Sequence, residues 1–179
     1  MEFGSGRREL YSSAAGQYTK RITIASSNPL NVSHVDLTGW RVAYLTFATA
    51  QAAGNFDQAI QRIFEQVKSW VREQGGTTDN VPAIGIASVI DGKLQSYECC
   101  IPISAELVSD EHGDLKIKVL PGGQYAILTI EKQSERIGET IRRFFEEYVP
   151  NVRLRIDDSR PIYEVYWDTT MDFCIPILV

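Results

Sequence analysis

One short phrase occurs twice in this chain, and it restricts the folds open to it. Tyr97-Glu98-Cys99-Cys100-Ile101-Pro102-Ile103 returns as Met171-Asp172-Phe173-Cys174-Ile175-Pro176-Ile177. The echo extends upstream of both copies. Arg41–Phe47 aligns with Gln124–Ile130 as a first strand, Ile63-Phe64-Glu65 with Phe144-Phe145-Glu146 inside a helix, and Pro82–Ile86 with Pro161–Val165 as a proline-led strand. The offset between equivalent residues falls from 83 at Leu45 and Leu128 to 74 at Cys100 and Cys174, so the second copy has shorter loops and the same element order. This predicts two strand-helix-strand-strand modules, an α+β fold. Two copies are too few for a solenoid. They are expected instead to pack about a pseudo-two-fold axis, with an antiparallel sheet, two helices and a ligand groove between the copies.

The helices are legible from their period. Phe56, Ile60, Ile63, Phe64, Val67, Trp70 and Val71 recur at three- and four-residue spacing, which predicts an amphipathic helix over about 56–73. Asn55 is its expected N-cap, with Gln58 as capping-box partner, and Gly75-Gly76 its expected stop. Ile137, Ile141, Phe144, Phe145 and Tyr148 predict a second helix, capped by Ser134 and ending before Pro150. Asp91-Gly92 is a hairpin signal between two strands. The polar run Ser109–Asp114 reads as a loop, followed by a strand at 115–119.

Residues 1–38 differ from the rest. Met1–Ser5 resembles a cloning remnant, and the stretch after it has no sustained period, so the boundary is set with a tail or linker at 1–38 and a domain at 39–179. The repeats within that domain cover about 39–104 and 121–179. Ile22, Ile24, Val32, Val35 and Leu37 could still add a strand to the core. Asn31-Val32-Ser33 fits a glycosylation sequon, which has no bearing without a secretory signal.

Composition excludes several classes. The chain has 44% hydrophobic residues in 179, enough for a core without staples, and a net charge of −5 with its basic residues scattered. Direct nucleic-acid binding through a basic face is therefore not expected. With no apolar run of spanning length and no secretory leader, a cytoplasmic protein without a membrane partner is expected. Cys99 and Cys100 are adjacent in a strand and point to opposite faces, so they cannot chelate one ion together. Buried thiols in a reducing compartment are the simpler reading, and neither a metal nor a cofactor is expected. Gly122-Gly123 is too short to cradle a phosphate, and His34 and His112 lie in no triad-like context.

The sharpest candidate for chemistry is Glu164. Alternation along Pro161–Trp167 puts Ile162, Glu164 and Tyr166 on one face and Tyr163, Val165 and Trp167 on the other. Its repeat partner is Gly85, so one copy has a carboxylate where the other has no side chain. A carboxylate among aromatic rings suits a lipophilic cation; a strand carboxylate paired with Arg153 or Arg155 is the plainer alternative. Glu98 and Asp172 are repeat equivalents, readable as acidic flanks of the groove or as edge-strand charges that discourage aggregation. Trp40, Tyr44, Tyr125, Tyr163, Tyr166 and Trp167 complete the candidate set as core or as stacking walls. Phe56, Phe64, Trp70, Phe144 and Phe145 read as packing between helix and sheet.

The succession Pro121-Gly122-Gly123-Gln124-Tyr125-Ala126, a helix, Pro161-Ile162-Tyr163-Glu164-Val165-Tyr166 and Asp172-Phe173-Cys174-Ile175-Pro176-Ile177 resembles the gyrase-inhibitor-like effector-binding domain. That domain occurs in AraC-type and MerR-type transcription regulators and as free-standing proteins. The resemblance covers 39–179 and implies a cleft between two helices, with Glu164 matching a glutamate that meets cationic aromatic ligands in multidrug-sensing members. Asp172 stands where many relatives carry glutamate, and the connection from Trp167 to Asp172 is short. The resemblance implies a small-molecule effector domain that reaches DNA only through a DNA-binding domain upstream of the tail, with a homodimer open. Two alternatives remain. One is a free-standing hydrolase of strained cyclopropane-bearing compounds, with Glu164 as general base and Tyr166 or Trp167 positioning the substrate; the other is an inhibitory protein-interaction module.

Overall fold

The computed structural model describes residues 29–49, 55–107 and 113–179. Met1–Ser5, Ile22, Ile24, His112 and most of the expected polar loop lie outside them. The chain divides into two compact units, Gly39–Leu120 and a second formed by Met1–Thr38 with Pro121–Val179. Both are α+β, with antiparallel strands and a helix.

In the unit Gly39–Leu120, strands β2 (Trp40–Ala48), β3 (Ala83–Ile90), β4 (Lys93–Pro102) and β5 (Lys116–Leu120) lie in the order β3-β4-β2-β5. Helix α1 (Phe56–Glu73) starts where expected: the Asn55 side chain accepts the Asp57 N–H at 3.0 Å. It stops by a Schellman motif, with Gly75 at φ 83°, the Gly75 N–H on Arg72 O and the Gly76 N–H on Val71 O. Its stripe of Ile60, Phe64, Val67, Trp70 and Val71 is buried against Ala43, Phe47, Tyr97, Cys99 and Ile101. Each large side chain so buried contributes roughly 1.5–3 kcal/mol. Asp91 and Gly92 both adopt positive φ, 51° and 72°, the conformation of a type I′ hairpin turn.

The other unit contains β1 (Val32–Leu37), β6 (Gly123–Glu131), β7 (Arg155–Ile156), β8 (Tyr163–Tyr166) and β9 (Thr170–Leu178). Its order is β1-β6-β9-β8, with β7 also on β9. Residues 32–37, on the tail side of the sequence boundary, thus form the optional extra strand, paired along β6 from Val32↔Leu128 to Leu37↔Gly123.

The second helix departs from its expected form. It begins as α2 (Ile137–Arg143), widens into a π turn at Phe144–Tyr148 and continues through Val149–Asn151. Ser134 Oγ accepts the Arg136 N–H at 3.1 Å, but Arg136 is the N-cap residue and has no side-chain cap. The helix also runs past Pro150. The π turn redirects the backbone one residue earlier, with the Val149 N–H on Phe144 O, and proline, lacking an N–H, is tolerated in the short turn that follows. Its end is a second Schellman pattern, Arg153 N–H on Pro150 O and Leu154 N–H on Val149 O, with non-glycine Arg153 at φ 54°. The core on this side joins Phe144 and Tyr148 to Val32, Ala126, Leu128, Met171 and Ile175.

Candidate functional site

Register fixes which residues share a face with the helix. Glu164 lies opposite Phe173 and Tyr166 opposite Met171, while Tyr163 faces Cys174 and Val165 faces Asp172. Met171 and Phe173 belong to the helix-side cluster, so Glu164 and Tyr166 are on that side and Tyr163 is on the reverse. The Tyr166 hydroxyl donates to Glu164 Oε2 at 2.7 Å. Both residues are half-buried, as is Phe173 beside them. From the π turn Phe145 sets its ring edge-on to Phe173, centroids 6.3 Å apart, and remains 36% exposed. A carboxylate therefore has a phenol donor and phenyl faces on one side of a single unit. This combination can neutralise a cation and stack against its rings.

Phe145 and Phe173 were missed from sequence. Phe145 was assigned to packing, yet only its neighbour Phe144 is fully buried, stacked at 5.3 Å on Tyr148. Phe145 lies one step round the helix from Phe144, at the margin of the buried face, and an adjacent Phe pair at that margin is the signal the sequence carries. The Tyr148 hydroxyl, whose proton burial makes harder to lose, is 3.0 Å from His34 Nε2 on β1.

The reverse face holds four other candidates. Asp172 is buried and accepts from Thr129 Oγ1 at 2.7 Å and from the Trp167 indole Nε1 at 2.9 Å. Tyr125 and Tyr163 stack at 5.3 Å. Their hydroxyls donate to the carbonyls of Pro161 and Pro121, and burial pushes both phenols up from their ordinary pKa. Arg160 lies over Tyr125 and donates to Asp157 and to the carbonyls of Gly122, Gln124 and Ile177. These contacts fasten the segment leading into β8, so their visible role is to position the strand that carries Glu164.

The remaining candidates, Trp40, Tyr44 and Glu98, belong to the other unit. Trp40 is buried, and Tyr44 carries the Lys118 ammonium 4.3 Å from its ring centre, with the same ammonium ion-paired to Glu98. The edge-strand reading of Glu98 and Asp172 does not hold: β4 is paired on both sides by β3 and β2, and β9 by β6 and β8. Pairing between distant strands decides what is an edge, and local sequence carries no record of it. Gly85, the repeat partner of Glu164, is filled from above. A Cβ there would fall 1.7 Å from the Tyr97 hydroxyl oxygen.

The cysteines are buried, and burial raises the Cys99 thiol to about 12 and Cys100 still further. Such thiols are protonated and poor nucleophiles. Among the described residues no group of three or more His, Cys, Asp or Glu could hold a metal, and no helix is long and apolar enough to cross a membrane. Two surface clefts, of about 770 and 500 Å³, lie along the outer side of α1 and beside α2, and neither includes Glu164. The first is walled largely by solvent-facing Gln, Arg and Glu side chains of one helix.

Fold and site together define a small-molecule binding domain. The sequence profile of the GyrI-like small molecule binding domain matches residues 30–176, and the chain belongs to that family. A comparison with curated proteins gives no match. Among solved structures, the C-terminal domain of EcmrR is similar at TM-score 0.65 and 12% identity, over 83% of this chain and 98% of that one. In the cryo-EM structure of an EcmrR–DNA complex the EcmrR chain is similar at TM-score 0.64 and 12% identity, over 83% of this chain but 57% of that one. A hydrolase from Listeria innocua is similar at TM-score 0.55 and 11% identity, over 82% and 91%. At such low identities the structural likeness establishes the shared fold alone.

Proposed function

We propose that this chain is the effector-binding part of a bacterial transcription regulator and takes lipophilic aromatic cations at Glu164. The observation that carries the reading is the placement of the Glu164 carboxylate beside Tyr166, Phe173 and Phe145 on the helix side of β8 and β9. Glu164 meets the charge and the rings meet the ligand's aromatic faces. Tyr125, Tyr163, Trp167 and Asp172 hold β8 in place behind them. Effector binding would act on DNA through a DNA-binding part of the regulator, by favouring one of its conformations. A homodimer belongs to this reading, and sedimentation of the purified chain tests it. The two units are further inferred to be diverged copies of one module, because each runs strand, helix, strand, strand, apart from the two-residue β7 inserted in the second, and pairs in the same neighbour order, β3-β4-β2 and β8-β9-β6.

Calorimetric titration with aromatic cations and size-matched neutral analogues tests the ligand class. Micromolar binding, about 8 kcal/mol, that is selective for the cation and weakened at least tenfold by Glu164→Gln is the expected result. Equal binding by both proteins removes Glu164 from the site. The phenol-carboxylate contact also supports a second reading, a hydrolase in which Glu164 is the general base and Tyr166 positions the substrate. Turnover of cyclopropane-bearing substrates that disappears in Glu164→Gln would favour it.

A further inference from the structure

Tyr166 has a second polar neighbour besides Glu164. Lys132 follows β6 directly, and its backbone N–H donates to Thr169 O at 2.9 Å in the turn that joins β8 to β9. From that anchor its side chain reaches back across the same turn. The ammonium lies 3.5 Å from Asp168 O and 5.9 Å from the centre of the Tyr166 ring. One residue thus meets three parts of the 166–169 segment, through a backbone bond, a carbonyl contact and a ring face. The phenol is shared between a carboxylate at its oxygen and a cation at its face.

We propose that Lys132 sets the charge preference of the Glu164 site, as a built-in cation with which a cationic ligand must compete. This rests on the effector reading above and adds to it a residue that opposes binding. The ring face that attracts a ligand cation already attracts Lys132, and both interactions draw on the same ring quadrupole. The ammonium is also a like charge beside the incoming one. A neutral aromatic ligand that covers the ring also displaces the ammonium, but it meets no like-charge repulsion. Lys132 therefore narrows the gap between cations and neutral molecules that Glu164 opens, and it is a specificity-determining residue of opposite sign to Glu164.

The test titrates wild type, Lys132→Met, Lys132→Arg and Glu164→Gln with crystal violet, a lipophilic cation, and with its neutral leuco form, at low and high salt. Removing the ammonium is expected to tighten crystal violet binding roughly fivefold at low salt, from the loss of one exposed cation–ring contact and one like-charge repulsion. The leuco form should gain clearly less than crystal violet, Lys132→Arg should behave as wild type, and the gain should shrink at high salt. If Lys132→Met binds crystal violet no better than wild type while Glu164→Gln still weakens it, the role of Lys132 is overturned and the Glu164 site stands. If crystal violet binds neither wild type nor Lys132→Met, or Glu164→Gln binds it as wild type does, the cation site itself falls, and the role of Lys132 with it.

Discussion

The Tyr166 hydroxyl donates to Glu164 Oε2 at 2.7 Å, so the carboxylate proposed to receive a ligand's charge is held by a residue two positions along its own strand. Residues i and i+2 share a strand face, so the contact follows from the pleat and does not depend on loop closure. Tyr166→Phe keeps the ring and removes this bond, whereas Tyr166→Ala removes both. Aromatic-cation affinity measured by calorimetry should fall less than about threefold in the first and about tenfold in the second, since an exposed cation–ring contact is worth roughly 0.5–1 kcal/mol and stacking adds to it.

The adjacent phenylalanines of the π turn should separate stability from binding. Phe144 is fully buried and Phe145 is 36% exposed. Phe144→Ala should cost about 3–5 kcal/mol in urea unfolding. Phe145→Ala should cost less, about 1–2 kcal/mol, because about a third of the residue is already in water, and should still weaken aromatic-cation binding. Equal stability losses in the two variants would contradict the assigned burial.

Gly85 is held by the ring above it. Since its Cβ would meet the Tyr97 hydroxyl at 1.7 Å and Cζ at 2.3 Å, Gly85→Ala must displace a buried tyrosine, at about 1–3 kcal/mol. In the double variant Gly85→Ala with Tyr97→Ala the alanine should cost almost nothing beyond the loss of the tyrosine. A double-mutant cycle by chemical denaturation reads that coupling.

Asp157 supplies a pH signature. Hydrogen bonds from Ser159 and from Arg160 lower its carboxyl from 3.8 to about 2. A depressed carboxylate stabilises the fold above its unfolded pKa and loses that contribution as pH falls through the folded one. The stability advantage of wild type over Asp157→Asn should therefore be complete above pH about 5 and shrink between pH about 4 and about 2. Urea midpoints of the two proteins across that interval check it.

Signals confined to a few neighbouring residues were readable in the sequence. Asn55, Gly75-Gly76 and Asp91-Gly92 each specify a local backbone conformation, and the structure has a cap, a helix stop and a hairpin turn at those places. Alternation also separated Glu164 and Tyr166 from Tyr163 correctly. What depended on distant pairing was not readable. Val32, Val35 and Leu37 read as a possible extra strand, but nothing in the segment reports β6, its partner nearly a hundred residues on, so the domain boundary falls after them. Glu98 and Asp172 look like edge charges for the same reason. Phe145 reads as packing because it continues the apolar stripe of Ile137, Ile141 and Phe144, and Phe173 gives no signal because its place opposite Glu164 depends on the pairing of β8 with β9.

The π turn also bears on how such a domain can change by insertion and deletion. Deleting one residue from a regular helix such as α1 turns everything downstream by about 100° and takes its apolar stripe off the core. A deletion within Phe144–Tyr148 can instead be absorbed by relaxing the wide turn into an ordinary one. What it would alter is the aim of Phe145. The gain or loss of a single codon there is a route by which relatives of this chain could add or remove a wall of the proposed ligand site while keeping the scaffold.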